Sequence, residues 1–190
     1  VMDSSFIKRG IYSFSMRLMS LKSNFLIKLL CEFLVNRWLR DQLGLSFVKS
    51  AATGGAALGP DTFKFFVNIG IPLRQLYGQT EQIGAYTIHR KGDIDFDSVG
   101  FPFDTVKIDI DKPDEEGIGE IKVNNKNCMQ GYLNVKENFL SNGWFFTGDA
   151  GYINKRGHLV VIDRMSDLSY TSQNLRYSPQ YIENKLKFSS

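Results

Sequence analysis

The chain has 190 residues and a formal net charge of +3, with 43% hydrophobic, 23% charged and 13% aromatic residues. This is the balance of a globular protein with a sizeable core, and it excludes a disordered, collagen-like or low-complexity chain. So small a positive excess points to no nucleic-acid partner, and the two distant cysteines, Cys31 and Cys128, suggest neither a zinc site nor a disulfide framework, which leaves a reducing, cytoplasmic setting as the expectation.

Residues 5–43 read as helix. Apolar residues recur at three- and four-residue spacing, from Phe6, Ile7 and Ile11 to Leu29, Leu30, Phe33, Leu34 and Trp38. Ser20 to Asn24 reads as a break, and Gly44 as a C-terminal stop. The apolar stretch Phe25 to Val35 contains Lys28 and Glu32 and falls short of the ~18 residues that would span a bilayer. The opening residues show no signal-peptide pattern. Over residues 1–43 seven basic residues stand against three acidic ones. A helical hairpin packed on a larger body explains that, and so does a basic amphipathic face in peripheral contact with a membrane.

From Gly44 the pattern changes. Leu45 to Ala52 is a strand candidate that runs into Thr53-Gly54-Gly55-Ala56-Ala57-Leu58. Asp61 to Ile69 reads as a helix with Phe63, Phe66 and Val67 inward, stopped at Gly70. Pro72 to Leu76 is a strand that delivers Tyr77-Gly78-Gln79-Thr80-Glu81. Strand, glycine turn, helix and strand in that order make an α/β unit of a parallel sheet. From Asp97 the chain is β-rich. Val106 to Ile110 and Glu120 to Val123 alternate apolar and polar residues around an acidic turn, Pro113 to Gly119. Trp144 to Phe146, Gly151 to Ile153 and His158 to Ile162 read as three short strands, the last two joined by the hairpin signal Asn154-Lys155-Arg156-Gly157. A helix opens at Ser178 with Pro179 in its first turn and Ile182, Leu186 and Phe188 on its apolar face.

Four stretches could carry chemistry. Gly54-Gly55 lets a backbone approach a flat or charged ligand, although a tight turn without a ligand shows the same pattern. In Tyr77-Gly78-Gln79-Thr80-Glu81, an aromatic face, a hydroxyl and a carboxylate at a strand end suit a nucleotide and a hard cation; an ordinary polar loop has the same composition. Asp149, between Gly148 and Ala150-Gly151, can reach two vicinal hydroxyls or simply serve a β-turn. Asp163 and Arg164 close a strand with a charge pair, at a hinge or in a plain surface salt bridge. The two histidines, His89 and His158, read as solvent-exposed and structural respectively, and neither as an acid–base group.

In order and spacing together these stretches resemble the adenylate-forming superfamily, the acyl-CoA synthetases and their relatives, from about Leu43 to Ser190. The Gly-Gly-Ala turn, the YGQTE stretch, the run from Gly119-Glu120-Ile121 to Gly131-Tyr132, and the TGD-to-DR stretch ending at Arg164 carry the likeness; residues 177–189 resemble bacterial long-chain fatty-acid ligases in particular. The resemblance implies that Gly55 and Ala56 line an adenine pocket and that Tyr77 lies against adenine, with Gly78 and Gln79 leaving room for it. It implies that Thr80 contacts phosphate, Glu81 binds Mg²⁺, and Asp149 and Arg164 serve the ribose. A small C-terminal domain would turn at Ser166, where the family usually has Asp or Lys.

On this resemblance the fold class is α/β with a β-rich, barrel-like subdomain. Expected divisions are residues 1–96 (helical hairpin and α/β portion of the large domain), 97–164 (β-rich subdomain) and 165–190 (start of the small domain). The implied function is ATP-dependent activation of a long-chain fatty acid to acyl-AMP and then acyl-CoA, with Mg²⁺ as cofactor and CoA as co-substrate. The family's Ser/Thr/Gly-rich phosphate loop and its C-terminal lysine are not among these residues, so the 190-mer alone is expected to be inactive. The alternative is a non-catalytic nucleotide- or acyl-binding paralogue.

Overall fold

The computed structural model describes residues 10, 29, 31–55, 58–135, 140–170, 176–179, 182, 183 and 186. The expected break at Ser20–Asn24 and the helix before it lie outside the described residues. The chain divides into two compact units, Val1–Ala52 with Pro60–Leu73, and Thr53–Gly59 with Arg74–Ser190.

In the first unit a π-helical turn, Glu32–Asn36, runs into helix α1 (Arg37–Gln42), which ends at Gly44 with φ of 70°. A left-handed residue just past the last turn is what glycine permits without strain. Helix α2 (Pro60–Asn68) buries Phe63 completely, and Gly70 (φ 87°) stops it as expected. The last carbonyls of a helix have no partner within it. Here α1 and the turn before it supply partners: Arg40 Nη1 donates to Ile69 O at 2.5 Å and Asn36 Nδ2 to Asn68 O at 3.4 Å. The same guanidinium forms a two-pronged pair with Glu32, and that hydrogen bond holds the Glu32 carboxyl below its usual range. Among the described residues no helix is long and apolar enough to cross a membrane.

The expected strand Leu45–Ala52 shrinks to β1 (Ala51–Thr53), because Leu45 to Ser50 is taken up by turns after the Gly44 stop. Strand β2 (Leu73–Gln79) runs further than expected and carries Tyr77, Gly78 and Gln79 within it. It joins β1, β3 (Gly84–Ile88) and β4 (Phe101–Pro102) in the order β1-β2-β3-β4. β1, α2 and β2 are the strand–helix–strand unit read from the sequence, but from β2 onward the pairing is antiparallel.

The second sheet holds β5 (Val106–Asp111), β6 (Gly119–Asn125), β7 (Leu140–Ser141), β8 (Trp144–Ile153) and β9 (Leu159–Arg164), ordered β5-β6-β8-β7 with β9 on β8. The two strands expected within β8 are one ten-residue strand. The TGD stretch reads as a turn, yet Gly148 (φ 71°) and a bulge at Ala150/Gly151 absorb the irregularity and the ladder continues. A short hairpin, β10 (Ser169–Tyr170) with β11 (Arg176–Tyr177), follows. Pro179, Ile182, Glu183 and Leu186 are helical as expected, but Ile182 and Leu186 are exposed. Phe188 lies outside the described residues.

Side chains from both sheets share one core: Tyr86, Val99, Val106, Ile121, Val123 and Leu159, with Tyr77, Ile108, Ile110 and Val161 against them. Backbone bonds of Val99 and Gly100 to Leu159, at 2.9 and 2.8 Å, stitch the chain leading into β4 to β9.

His89 departs from the sequence reading, being fully buried. The basic neighbours Arg90 and Lys91 suggest a wet site, but Arg90 turns outward over Phe101 while His89 faces in. Its Nδ1 accepts the Gln75 N–H at 3.1 Å, and its Nε2 meets Ser98 Oγ at 3.0 Å. Ser98 Oγ meets His158 Nδ1 at 2.9 Å, and His158 Nε2 lies 3.3 Å from Asp93 Oδ1, which also pairs with Arg156. His158 is structural, as read. Burial, then the neighbouring His158, pushes His89 down to about 4, against the weaker pull of Asp95 and Asp93.

In the unfolded chain His89 takes up its proton near 6.5, so unfolding binds a proton across the interval from there to about 4. This stabilisation is complete above that window and is lost as pH falls through it. Urea denaturation across the window should show wild-type stability dropping more steeply than that of His89→Gln.

Candidate nucleotide site

Four of the sequence candidates, Tyr77, Gln79, Asp149 and Arg164, come together from β2, β8 and β9. Antiparallel register places Asp149 of β8 directly opposite Arg164 of β9. Asp149 is buried, 7% exposed, and its carboxylate is held from three sides. Tyr77 O–H donates to Oδ2 at 2.5 Å, Gln79 Nε2 donates to the same oxygen at 2.9 Å, and Arg164 Nε lies 3.2 Å from Oδ1. Thr147 ties the group to the sheet: its carbonyl accepts from Gln79 Nε2 at 3.0 Å and Arg164 Nη1 at 3.1 Å. Its hydroxyl donates to Ile121 O at 2.7 Å and accepts the Asp149 N–H at 3.1 Å.

The electrostatics follow from depth. Burial raises the Asp149 carboxyl above its usual value, and the bonds from Tyr77, Arg164 and Gln79 offset part of that rise. Burial, reinforced by Tyr86 and Asp149, pushes the Tyr77 phenol far up, so it remains a donor. The Tyr77 ring lies edge-on to Tyr86, centroids 5.1 Å apart, and forms part of the core wall. Arg164 remains half-exposed. The site thus offers a buried acceptor beside a cation open to solvent.

Gly78 has a structural reason of its own. A Cβ there would lie 2.0 Å from Gly84 O and 2.4 Å from Ala85 Cα, at the bulge where β2 and β3 shift register. Gly54, read with Gly55 as a ligand approach or a tight turn, is needed for a close internal contact: its Cβ would fall 2.3 Å from Leu76 Cδ1. Gly55 is exposed, with φ of 84°, and a Cβ there would meet nothing, so backbone conformation alone selects glycine. Ala56 lies outside the described residues.

Thr80 and Glu81 open a 3₁₀ turn, Thr80–Gln82, just past β2. Thr80 is exposed. Glu81 accepts a 2.7 Å hydrogen bond from Tyr132 O–H, which more than any other contact holds its carboxyl below the usual range. Tyr132 lies in the Gly131-Tyr132 pair read as part of a strand motif, but nothing local shows that it reaches Glu81. Thr147 was equally unmarked, although the TGD stretch contains it. Ser166 is exposed in the turn Met165–Asp167 and bonds Asp167 at 2.8 Å; among the described residues it does not join the Asp149 group. A groove of about 470 Å³ beside Arg90, Phe101 and Phe103 includes none of these residues.

A buried acceptor carboxylate beside a half-exposed guanidinium, next to a polar turn, has the chemistry to accept from hydroxyls and to face an anion. Residues 8–133 match the AMP-binding enzyme family, and the chain belongs to it. It is 32% identical over 162 residues to the long-chain-fatty-acid–CoA ligase ACSBG2 of Gallus gallus, across 83% of this chain and 21% of that protein. The 2-succinylbenzoate–CoA ligase of Staphylococcus epidermidis is 31% identical over 140 residues, covering 70% of this chain and 29% of its own. O-succinylbenzoate coenzyme A synthetase of Bacillus subtilis, solved with ATP and magnesium ion, superposes with a TM-score of 0.63 at 30% identity, over 71% of this chain and 30% of that one. The mixed α/β fold is thus that of the adenylate-forming enzymes. The chain spans about a fifth of the length of the chicken relative.

Tyr77→Phe removes one bond that favours the charged Asp149, so carbon-detected NMR titration should find the Asp149 carboxyl moved further up. Gly78→Ala forces backbone against backbone at the β2–β3 bulge and should destabilise the fold by about 1–3 kcal/mol in denaturant melts.

Proposed function

We propose that this chain carries the adenosine-binding part of an AMP-forming acid–CoA ligase whose acid is a long-chain fatty acid. The observation that carries the reading is the buried Asp149, opposite Arg164 on β8 and β9 and bonded to Tyr77 and Gln79. Family membership supports the ligase class, and the chicken relative supports the long acyl chain.

In this reading Asp149 accepts from the two ribose hydroxyls. A carboxylate has about four acceptor positions, and Tyr77, Gln79 and Arg164 occupy three of them. A diol therefore displaces at least one partner, and half-exposed Arg164 is the freest to turn aside toward the nucleotide. Tyr77, fixed by Tyr86 and the core, sets an edge of its ring against adenine, in the pocket to which Gly55 and Ala56 are also assigned. Gly78, by lacking a side chain, lets β2 and β3 close behind that edge. Thr80, exposed at the start of its turn, contacts phosphate. Ser166 is the pivot of the segment that follows β9.

The donor chemistry near Glu81 fits Mg²⁺. One carboxylate and the Thr80 hydroxyl form the sparse oxygen set that Mg²⁺ accepts when substrate phosphates complete its shell. Among the described residues no cluster of three or more His, Cys, Asp or Glu makes an all-protein metal site. What the ion would supply when bound is neutralisation of phosphate charge as the fatty carboxylate attacks the α-phosphate of ATP, the α–β phosphoanhydride bond breaks and pyrophosphate leaves, giving acyl-AMP. The CoA thiol then displaces AMP to give the thioester.

Isothermal titration tests the reading. Wild-type chain should bind AMP, and Asp149→Asn should bind it about 10-fold or more weakly, the loss expected for hydrogen bonds to a charged group. Equal binding by the two would refute the role of Asp149. A non-hydrolysable long-chain acyl-adenylate analogue should bind more tightly than its aromatic counterpart; the reverse order would refute the acyl assignment.

A further inference from the structure

Glu81 is the carboxylate that the proposed reading asks to meet a divalent cation, and it has a partner 51 positions away in sequence. Tyr132 O–H donates to Glu81 Oε1 at 2.7 Å. The same loop makes a second tie to the same residue, with Met129 N–H donating to Glu81 O at 2.9 Å. One bond pins the backbone and the other pins the carboxylate.

Packing does not account for Tyr132. Its residue is 50% exposed, and Leu133 and Val135 beside it are 91% and 51% exposed. A tyrosine that fills no core has little besides its hydroxyl to contribute, and that hydroxyl is spent on Glu81. Within its turn the carboxylate has a weaker local bond from its own backbone N–H, but the turn is three residues long, is followed by Ile83 in a left-handed conformation (φ 61°), and has no side-chain cap. The larger hold comes from outside the turn, from Tyr132.

We infer that Tyr132 is a positioning residue for the cation site, holding the Glu81 carboxylate in the orientation in which it meets a nucleotide-bound divalent ion. The inference rests on the reading of Glu81 given above and adds a residue to which that reading assigned nothing. Held at Oε1, the carboxylate keeps acceptor capacity for the ion. Groups that hydrogen-bond a metal ligand fix its orientation, and their loss typically weakens metal binding 10- to 100-fold.

The test uses the 190-residue chain, Mn²⁺ as the probe and a non-hydrolysable ATP analogue. Electron paramagnetic resonance gives Mn²⁺ affinity in the presence of the analogue, calorimetry gives the affinity for AMP without metal, and thermal melts report the fold. For Tyr132→Phe we expect Mn²⁺ affinity to fall about 10-fold, with AMP affinity and the melting temperature unchanged. Glu81→Gln should abolish the Mn²⁺ signal, and Glu81→Gln/Tyr132→Phe should be no worse than Glu81→Gln alone. Unchanged Mn²⁺ affinity in Tyr132→Phe overturns the inference. So does tighter Mn²⁺ binding, which would make Tyr132 a competitor of the ion, and so does an equal loss of Mn²⁺ and AMP binding, which would make it structural only. A wild-type chain that binds AMP but shows no Mn²⁺ signal overturns the Glu81 role and this inference while leaving the adenosine site standing. One that binds neither overturns both.

Discussion

A carboxylate almost removed from water must be compensated or it will hold its proton. Asp149 is that carboxylate, and much of the second unit can be understood as its compensation. Three donors come to it from two strands of different sheets: Tyr77 and Gln79 from β2, Arg164 from β9. Thr147, two residues before it, binds Ile121 on one side and the Asp149 amide on the other, so the strand cannot shift without breaking the set. The Tyr77 ring that delivers one of the donors is also core. The compensation of the buried charge and the hydrophobic packing thus share one side chain.

How far the sequence revealed this depended on the range of each interaction. Local signals read well. Gly44 and Gly70 end their helices, Phe63 faces inward, and Asn154 closes the β8–β9 turn with its side chain accepting from Arg156 and His158 amides at 2.9 and 3.0 Å. Tyr77, Gln79, Asp149 and Arg164 were all legible as candidates, because unusual residue types flank glycines at strand ends. What could not be read was who meets whom. Tyr132 reaches Glu81 across 51 positions, and Ser98 reaches His158 across 60. His89 was misread because its charged neighbours in sequence are not its neighbours in space. The TGD stretch was misread as a strand break because glycine and aspartate also make turns; only the ladder on either side shows that the strand goes on.

The first unit makes the same point with a different pair of groups. Arg40 is at once the partner of Glu32 and the cap of α2, so one guanidinium satisfies a side-chain charge and a helix terminus. A Cβ on Gly70 would lie 2.6 Å from Arg40 Nη1, so the residue that stops α2 also clears the space in which its cap sits.

The geometry of β8 separates two kinds of change that evolution can make. Along a strand, adjacent side chains point to opposite faces. Phe145, Thr147 and Asp149 are all buried, with irregularities in the ladder against β6 between Phe146 and Ala150 and against β9 at Ala150/Gly151. Replacing residues in this strand alters the site by degrees. Adding or deleting a single one between Phe145 and Asp149 would swing the carboxylate to the opposite face and leave Tyr77, Gln79 and Arg164 without their acceptor. Length variation in this family should therefore collect in the Asn154–Gly157 turn and in the loop before β7, while the spacing from Phe145 to Asp149 stays constant even among relatives that share only a third of their residues.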